Sequence, residues 1–305
     1  MNSIRYKTLA CLAGALSLTT GAQPLLALSF TPTYTGGDAQ TQNATTAALN
    51  ALAAYFGNSV ALPVQVTIGD LGNTGTLGSS SVSSWEQLGG SGVFYPSPLR
   101  NVLNSTTPIA ITISMNINAS VSWEYGATTP TGGKYSWQSV VMHEALHSMG
   151  FYDGVADASG ALAQAGYTIF DSFTTIGPNG SSFMSLGDNT ARQAAITSNN
   201  LYWGGTNGKQ ANGGNPVKLY SPGTFESGST YSHIDPSLTG AGGLLFPTLG
   251  ADTFFAGPTS VELGIMKDLG WTVVPEPATY AWAFGGLCMG FFAWQRRKTA
   301  SSVAA

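Results

Sequence analysis

The strongest constraint on this chain is the segment at residues 140–151, whose sequence is VVMHEALHSMGF. Residues four apart lie on one face of a helix, so His143 and His147 can direct two imidazoles at one metal ion. Glu144, beside the first histidine, can then reach a water bound to that ion. Ser136 is placed to cap the start of such a helix. The segment therefore predicts a helix that carries a metal site.

Zinc suits this set of residues. The ion binds imidazole nitrogens and lowers the pKa of a coordinated water from about 15.7 toward about 7. A carboxylate within hydrogen-bond reach then removes a proton as the water attacks a carbonyl. We therefore expect His143 and His147 to bind Zn²⁺. We expect Glu144 to act first as the general base and then as the general acid of a hydrolytic reaction.

A catalytic zinc site needs a third protein ligand and an open fourth position, and the residues leave two candidates for that ligand. His233 is the only other histidine of the chain and lies in a loop-rich region with the local sequence YSHID. Asp153 follows Gly150, which can adopt a left-handed turn that ends the helix and brings the chain back toward the metal. Imidazole is the commonest ligand type in such sites, but from the residues alone both assignments stay open.

Four segments resemble the conserved pieces of a known family. In chain order they are HEALHSMGF, a Ser-His pair, LLFP and DLGW, at residues 143–151, 232–233, 244–247 and 268–271. This order resembles leishmanolysin-type metzincins and their bacterial relatives, over about residues 136–271. The resemblance implies a zinc endopeptidase acting on protein or peptide substrates. It also implies that His233 is the third zinc ligand and that Asp153 is a turn residue.

One departure from the family pattern concerns the turn beneath the metal, where the family has a methionine. Here Leu245 and Phe246 precede Pro247. Leucine and methionine have similar volumes, and swaps between them usually cost less than about 1.5 kcal/mol, so we expect the packing to survive. Met266 lies in the predicted final helix, residues 260–268, and is expected to pack in the core.

We expect residues 28–274 to form one α+β unit of metzincin type. An N-terminal lobe, residues 28–150, would hold a twisted sheet and end in the active-site helix, and residues 151–274 would form a smaller, irregular lobe. Alternating apolar residues predict strands at 63–68 and 109–117, and the alanine-rich stretch 45–56 predicts a helix. The strand at 109–117 is our candidate for the sheet edge that takes an extended peptide.

Three aspartates outside the motif have competing interpretations. Asp188 is expected to cap a helix at residues 189–198 rather than to bind calcium, because no regular acidic loop surrounds it. Asp171 could orient an active-site histidine or lie in a surface turn. Asp235 could hold the tautomer of His233, from which it is separated by one residue.

The two ends of the chain indicate export. Arg5 and Lys7 precede an apolar run and then small residues, which predicts a signal peptide at residues 1–27. Near the other end, PEP at 275–277 is followed by an apolar span at 278–294 and by RRK at 296–298. This ending, residues 275–298, resembles the PEP-CTERM sorting signal of Gram-negative bacteria.

The resemblance of the tail implies an exosortase partner, transient anchoring in the membrane, removal of the tail, and delivery to the cell envelope or extracellular matrix. The 17 residues of the span, at about 1.5 Å each, reach roughly 25 Å, a little short of a bilayer core. The simpler alternative is a permanent single-span transmembrane anchor. The Pro-Glu-Pro has no evident role in such an anchor, which favours the sorting signal.

Charge and cysteine content restrict the function further. With 11 basic and 15 acidic residues the net charge is −4, which excludes a broad cationic surface for nucleic acid. Cys11 and Cys288, the only cysteines, fall in the apolar ends, so the exported body has no disulfide available. A sizeable core or a bound metal must supply its stability instead.

The competing function is that of a matrix or surface structural protein whose zinc site only stabilises the fold. The Gly, Ser, Thr and Asn-rich composition, the sorting tail and the missing turn methionine favour it. Glu144 opposes it, because a structural zinc site needs no base and normally fills its fourth position with protein.

Overall fold

The computed structural model describes residues 28–72, 75–104, 112–238 and 243–274. Within them the chain forms seven α-helices and several small sheets, a mixed composition compatible with the expected α+β class. The predicted signal peptide, residues 1–27, and the predicted tail, residues 275–298, lie outside this part of the chain. Among the described residues, no helix is both long and apolar enough to cross a bilayer.

A four-stranded sheet forms one layer of the N-terminal half. In spatial order its strands are β1 (Ser29–Gly36), β2 (Ala61–Gly69), β6 (Ile113–Asn118) and β3 (Gly78–Val82). The first three are parallel, and β3 is antiparallel to β6. Two small strand pairs accompany this sheet: β4 (Trp85–Gln87) with β5 (Phe94–Pro96), and β7 (Trp123–Glu124) with β8 (Tyr135–Ser136).

The prediction that the strand at 109–117 forms the edge of the sheet was wrong. The strand predicted at 109–117 is described from Ile113 onward, as β6, and it lies between β2 and β3. The edge on this side of the sheet is β3, which comes from a glycine- and serine-rich stretch without an apolar face. A strand at an edge is held by one neighbour and buries little, so its sequence need not alternate. In β2 the predicted alternation is confirmed, with Val64, Val66 and Ile68 buried.

Two helices pack against the four-stranded sheet. The helix predicted at 45–56 is α1 (Ala39–Ala53), and it begins earlier because Asp38 and Thr41 form a reciprocal capping box. The motif helix is α3 (Trp137–Ser148), which packs against α1, β3 and β6. Trp137 is fully buried, and its indole N–H donates to Thr45 Oγ1 of α1 at 3.0 Å. These contacts hold α3 against the edge of the sheet.

The second half is built from short elements. A three-stranded antiparallel sheet has the order β11-β10-β9, with β9 at Thr174–Ile176, β10 at Leu201–Trp203 and β11 at Val217–Leu219. The shorter helices of the fold are α2 (Ser97–Leu103), α4 (Ile169–Ser172), α5 (Asn189–Ile196) and α6 (Thr206–Ala211), with one 3₁₀ turn at Phe183–Ser185. Asp188 caps α5 by accepting from Ala191 N at 2.8 Å, so the predicted cap is confirmed.

The final helix, α7 (Ser260–Leu269), joins the two halves. It packs on α6, and the Asp268 carboxylate accepts hydrogen bonds from the Trp203 indole at 2.9 Å and from two backbone N–H groups of α6. Met266 is fully buried, as predicted. After the left-handed Gly270, Trp271 donates to the Met149 carbonyl at 2.8 Å, at the end of α3. The segment after α7 therefore braces the motif helix.

Candidate metal centre

The motif helix α3 starts and stops through local signals. Ser136 caps it, with its hydroxyl accepting from Ser139 N at 3.2 Å, which confirms the predicted cap. Gly150 follows the helix with a φ of +125°, a backbone conformation that favours glycine. The reversal brings the Phe151 carbonyl back under the helix, where it receives His147 Nδ1–H at 2.7 Å. The turn therefore both ends α3 and orients one imidazole.

His143 lies one turn earlier on the same face. Its Nδ1 makes a short hydrogen bond to the carbonyl oxygen of Leu244, on the turn that the sequence resemblance placed beneath the metal. Glu262 of α7 supports that turn, with Oε1 accepting from Leu245 N at 2.6 Å and from Gly243 N at 3.2 Å. Leu245 is fully buried in this turn.

His233 is delivered by a distant loop. Its Nδ1 donates to the Ser229 carbonyl at 2.8 Å, and its own carbonyl accepts from Tyr220 N at 2.8 Å. Tyr231, two residues earlier, has a φ of +78°, which is unusual for a bulky residue. The Tyr231 side chain is fully buried, and its hydroxyl donates to Asp171 Oδ1 at 2.8 Å. Surrounding contacts thus hold the loop in a conformation that costs energy.

The three imidazoles converge through their Nε2 atoms. Nε2 of His147 lies 3.0 Å from that of His143 and 3.2 Å from that of His233, and the third separation is 3.4 Å. A carbonyl oxygen can only accept, so each Nδ1 bonded to one must carry the proton. In the neutral rings each Nε2 is then an unprotonated acceptor. Three lone pairs at these distances repel one another unless a cation lies among them.

Burial also keeps the rings neutral. Desolvation lowers the pKa of all three histidines: that of His143 is lowered, that of His147 lies well below its usual range, and that of His233 falls to about 3. Charge repulsion from His143 adds to the effect on both other rings. Neutral imidazole is the form that binds metal ions. The three histidines therefore lie close enough, and in a suitable state, to bind one metal ion.

Searches against protein-family models, characterised proteins and solved structures find no match to this chain. The geometry of the site therefore carries the functional argument.

The side chain of Glu144, on α3, lies against the edge strand β3. Its side chain is 6% exposed, and desolvation raises the pKa of its carboxyl group to about 8. Strand β3 approaches so closely that a Cβ atom on Gly78 would lie 2.9 Å from Glu144 Oε1 and 3.0 Å from Val140 Cγ1. Two residues on, Ser80 Oγ donates to the Glu144 backbone carbonyl at 2.7 Å. A glycine at position 78 thus leaves room for the carboxylate.

A cavity of about 670 Å³ opens in front of the three histidines. Glu144 and all three imidazoles line it. The cavity is also lined by β3 with the residues before it, by residues 227–229, and by residues 244 and 246–249. The predicted catalytic carboxylate and the predicted ligands therefore face one shared space.

The structure separates the two candidates for the third ligand. His233 lies with His143 and His147, and the group of potential ligands found among the described residues does not include Asp153. Asp153 is buried and accepts from Val155 N at 2.7 Å. It also bonds the hydroxyl of Ser232, the neighbour of His233. It therefore supports the loop that carries the third histidine.

Two other aspartates differ from their predicted roles. Asp171 is neither a surface residue nor a partner of a histidine: it is fully buried and accepts from Tyr231 Oη, Thr168 N and Gly154 N. Asp235 does not hold the tautomer of His233, because His233 Nδ1 donates to the Ser229 carbonyl and Asp235 forms a 3.2 Å ion pair with Lys218. Tyr231 and Lys218, the side-chain partners of these two aspartates, come from other segments of the chain.

The sequence did not reveal the residues of other chain segments that support the site. These are Gly78 and Ser80 on the edge strand, Tyr231 on the histidine loop, and Glu262 on α7. Only Glu262 carried a local signal, the Thr-x-x-Glu capping box that starts α7. That signal predicts the start of a helix. It does not predict that the same carboxylate also accepts hydrogen bonds from the turn at 243–245.

Proposed function

We propose that this protein is a zinc-dependent endopeptidase with a metzincin-like catalytic unit. The observation that carries the proposal is the convergence of three Nε2 atoms beside a buried glutamate, in a cavity that runs along the edge of a sheet. A group of three histidines with an adjacent carboxylate is the arrangement expected of a hydrolytic zinc site with one open position.

The donor set fits zinc. In a tetrahedral site with zinc–nitrogen distances of about 2.0–2.1 Å, ligand nitrogens lie about 3.3 Å apart. The three observed separations of 3.0, 3.2 and 3.4 Å bracket that value. His143, His147 and His233 would hold the ion. Bound there, zinc would acidify a water molecule and polarise the carbonyl of a scissile peptide bond.

Glu144 would move the proton. A cation beside it favours the ionised carboxylate, against the burial that raises its pKa in the protein alone. As the ionised base, Glu144 takes a proton from the attacking water at a carboxylate oxygen. It then delivers that proton to the amide nitrogen as the C–N bond breaks, which returns the carboxylate to its starting form. The Ser80 hydrogen bond to the Glu144 backbone carbonyl would hold β3 against α3, and Gly78 would leave room for the carboxylate.

The substrate would bind along β3. This strand is the last of its sheet and lines the cavity with Gly78, Ser79 and Ser80. Small side chains leave the strand's backbone groups accessible, so an extended peptide can pair with them as an additional strand. An unfolded or flexible polypeptide meets this requirement, whereas a peptide bond inside a helix does not. The proposed substrates are therefore extended segments of proteins.

The proposed place of action is outside the cytoplasm. The predicted signal peptide and the PEP-CTERM-like sequence of the tail support export, transient anchoring in the membrane, processing by an exosortase, and release to the envelope or extracellular matrix of a Gram-negative bacterium. The body has no cysteine, so the metal would supply part of its stability there.

The test is zinc-dependent cleavage of unfolded casein, followed by mass spectrometry of the fragments. We expect the zinc-loaded protein to cut at internal bonds and the Glu144→Gln variant to bind zinc equally well but lose at least 99% of the activity. Turnover by Glu144→Gln at the unmodified rate would refute the assigned role. A zinc-loaded protein that cuts no unfolded substrate would support the structural alternative.

A further inference from the structure

A second, smaller pocket adjoins the cavity of the metal centre. We call it the Trp85 pocket, and it is lined by Val82, Trp85, Ser148, Tyr152, Ala163 and Thr168, among others. His147 and Tyr152 line both spaces, and β3 continues from one to the other, with Ser79 and Ser80 in the cavity and Ser81 and Val82 in the pocket. A peptide lying along β3 would therefore pass the mouth of this pocket.

The size of the Trp85 pocket limits what it can hold. Its volume is about 120 Å³. An apolar cavity of about 150 Å³ accommodates benzene, which has six heavy atoms. The Trp85 pocket thus has room for a side chain of about three or four heavy atoms, such as threonine, valine or leucine, and excludes the aromatic rings. Trp85 and Tyr152 pack together, with ring centroids 5.8 Å apart, and both line the pocket.

One polar atom in the wall has no partner. The Ser148 side chain is 2% exposed, and its hydroxyl makes no hydrogen bond with any of the described residues. Leaving a buried hydroxyl unsatisfied costs about 1–3 kcal/mol, so such groups commonly have a partner. Ser148 follows His147 directly and lines the pocket. A ligand with a polar atom could satisfy this hydroxyl.

The pocket offers no charge to a ligand. None of its lining residues is a lysine or arginine, so an acidic side chain would find no counter-ion. The only acid is Asp153, which already accepts from Val155 N and bonds Ser232. Burial, with repulsion from Asp171, holds the pKa of Asp153 well above its usual value, which favours the neutral carboxyl group. An uncharged side chain suits this environment.

We infer that the Trp85 pocket is a specificity subsite that takes one uncharged substrate side chain no larger than leucine, and that Ser148 hydrogen-bonds a hydroxyl-bearing side chain there. The inference rests on the proposed function, because it assumes that a peptide lies along β3. It adds a substrate class: polypeptides with a threonine-like or small aliphatic residue at one fixed position relative to the cleaved bond.

The first experiment selects peptides by binding. The full chain carrying Glu144→Gln and loaded with Zn²⁺ is immobilised and exposed to a random decapeptide library, and the retained peptides are sequenced. We expect one position to be restricted to threonine, valine, leucine and similar residues. Retention without such a position, or a preference for aromatic or charged residues there, would overturn the inference, as would retention of no peptide.

Two alanines of one loop provide a matched pair of variants. Ala163 and Ala165 are both exposed, but only Ala163 lines the pocket. Ala163→Leu should weaken binding of the selected leucine peptide at least tenfold and leave a glycine peptide unchanged. Ala165→Leu should change neither. Equal effects of the two substitutions would contradict the assignment.

Ser148→Ala tests the hydrogen bond. We expect a threonine peptide to bind about three- to tenfold more tightly than the isosteric valine peptide, and the difference to vanish in Ser148→Ala. A threonine preference that survives the substitution would remove Ser148 from the subsite. Casein cleavage by the wild-type chain tests the proposed function separately, since binding to the Glu144→Gln chain needs no catalysis.

Discussion

The carboxylate of Glu262 accepts a hydrogen bond from Leu245 N at 2.6 Å, and the preceding residue, Leu244, gives its carbonyl to the Nδ1–H of His143. A chain of contacts thus leads from the first turn of α7 to one of the three imidazoles. Residues that touch a metal-binding histidine commonly affect metal affinity by ten- to a hundredfold. Residues far from the motif in sequence should therefore affect metal binding and catalysis.

Glu262→Gln should lower zinc affinity by loosening the turn that contacts His143. Glu262 is buried and accepts from Leu245 N and Gly243 N through one oxygen and from Thr259 N through the other. An amide can keep only one of these acceptors. We expect a loss of about 1–3 kcal/mol in unfolding free energy and a roughly tenfold weaker zinc affinity. Urea denaturation and competition with a chelating dye measure the two effects. The control is Glu86→Gln on β4, which should alter neither.

Tyr231→Phe should loosen the loop of His233. The substitution removes the 2.8 Å hydrogen bond to Asp171 while the ring keeps its packing against Phe170 and Phe183. We expect zinc affinity to fall about tenfold and the visible spectrum of the Co²⁺-substituted protein to change, because the third imidazole is less well oriented. Tyr202→Phe, on β10, should leave the spectrum unchanged. An unaltered Co²⁺ spectrum in Tyr231→Phe would show that packing alone positions the loop.

Gly78→Ala should impair hydrolysis without removing the metal. The added methyl group would lie 2.9 Å from Glu144 Oε1, so the carboxylate or the strand must shift. A catalytic group displaced by about 1 Å can cost about a hundredfold in rate. The comparison is Gly69→Ala at the end of β2, where nothing lies within 4 Å of the new atom. Zinc content by mass spectrometry should be equal in both variants, and casein cleavage should fall only in the first.

The stability of the metal-free protein should depend on pH through the raised pKa of the buried Glu144. Burial raises the pKa of Glu144 to about 8, whereas the unfolded chain has about 4.5. The folded form thus holds a proton that the unfolded form releases, so this contribution to stability is full below pH 4.5 and is lost as pH rises toward 8.

Glu144→Gln cannot ionise and escapes this loss. Between pH 5 and pH 8 we expect the metal-free wild type to lose roughly 2–4 kcal/mol relative to Glu144→Gln. Urea denaturation of both proteins at the two pH values gives the comparison, in which the histidine contributions cancel. Parallel pH curves for the two proteins would mean that Glu144 is solvated in the folded state.

The parts of the fold that could be predicted are those with local causes. Ser136, Asp188 and the alternation of Val64, Val66 and Ile68 act on their own segments, and each prediction is confirmed. The edge strand could not be predicted from its sequence, because β3 owes its place to pairing with β6 and to contact with α3.

The candidate site divides in the same way. His143, Glu144 and His147 share one helix, so their spacing was sufficient to group them. His233 lies 86 residues from His147, so the residues alone left it and Asp153 as two candidates, and the family resemblance favoured His233. Glu262 and Tyr231 were not found, because their roles depend on contacts between segments that no sequence spacing reveals.

The most direct measurement of the central claim is the zinc affinity of single-site variants by competition with a chelating dye. The wild type should bind one Zn²⁺ per chain, and His233→Ala should lose at least a hundredfold in affinity, as His143→Ala and His147→Ala should. Asp153→Ala should lose far less, since that carboxylate only supports the loop of His233. Wild-type affinity in His233→Ala, with loss of zinc in Asp153→Ala, would contradict the three-imidazole site.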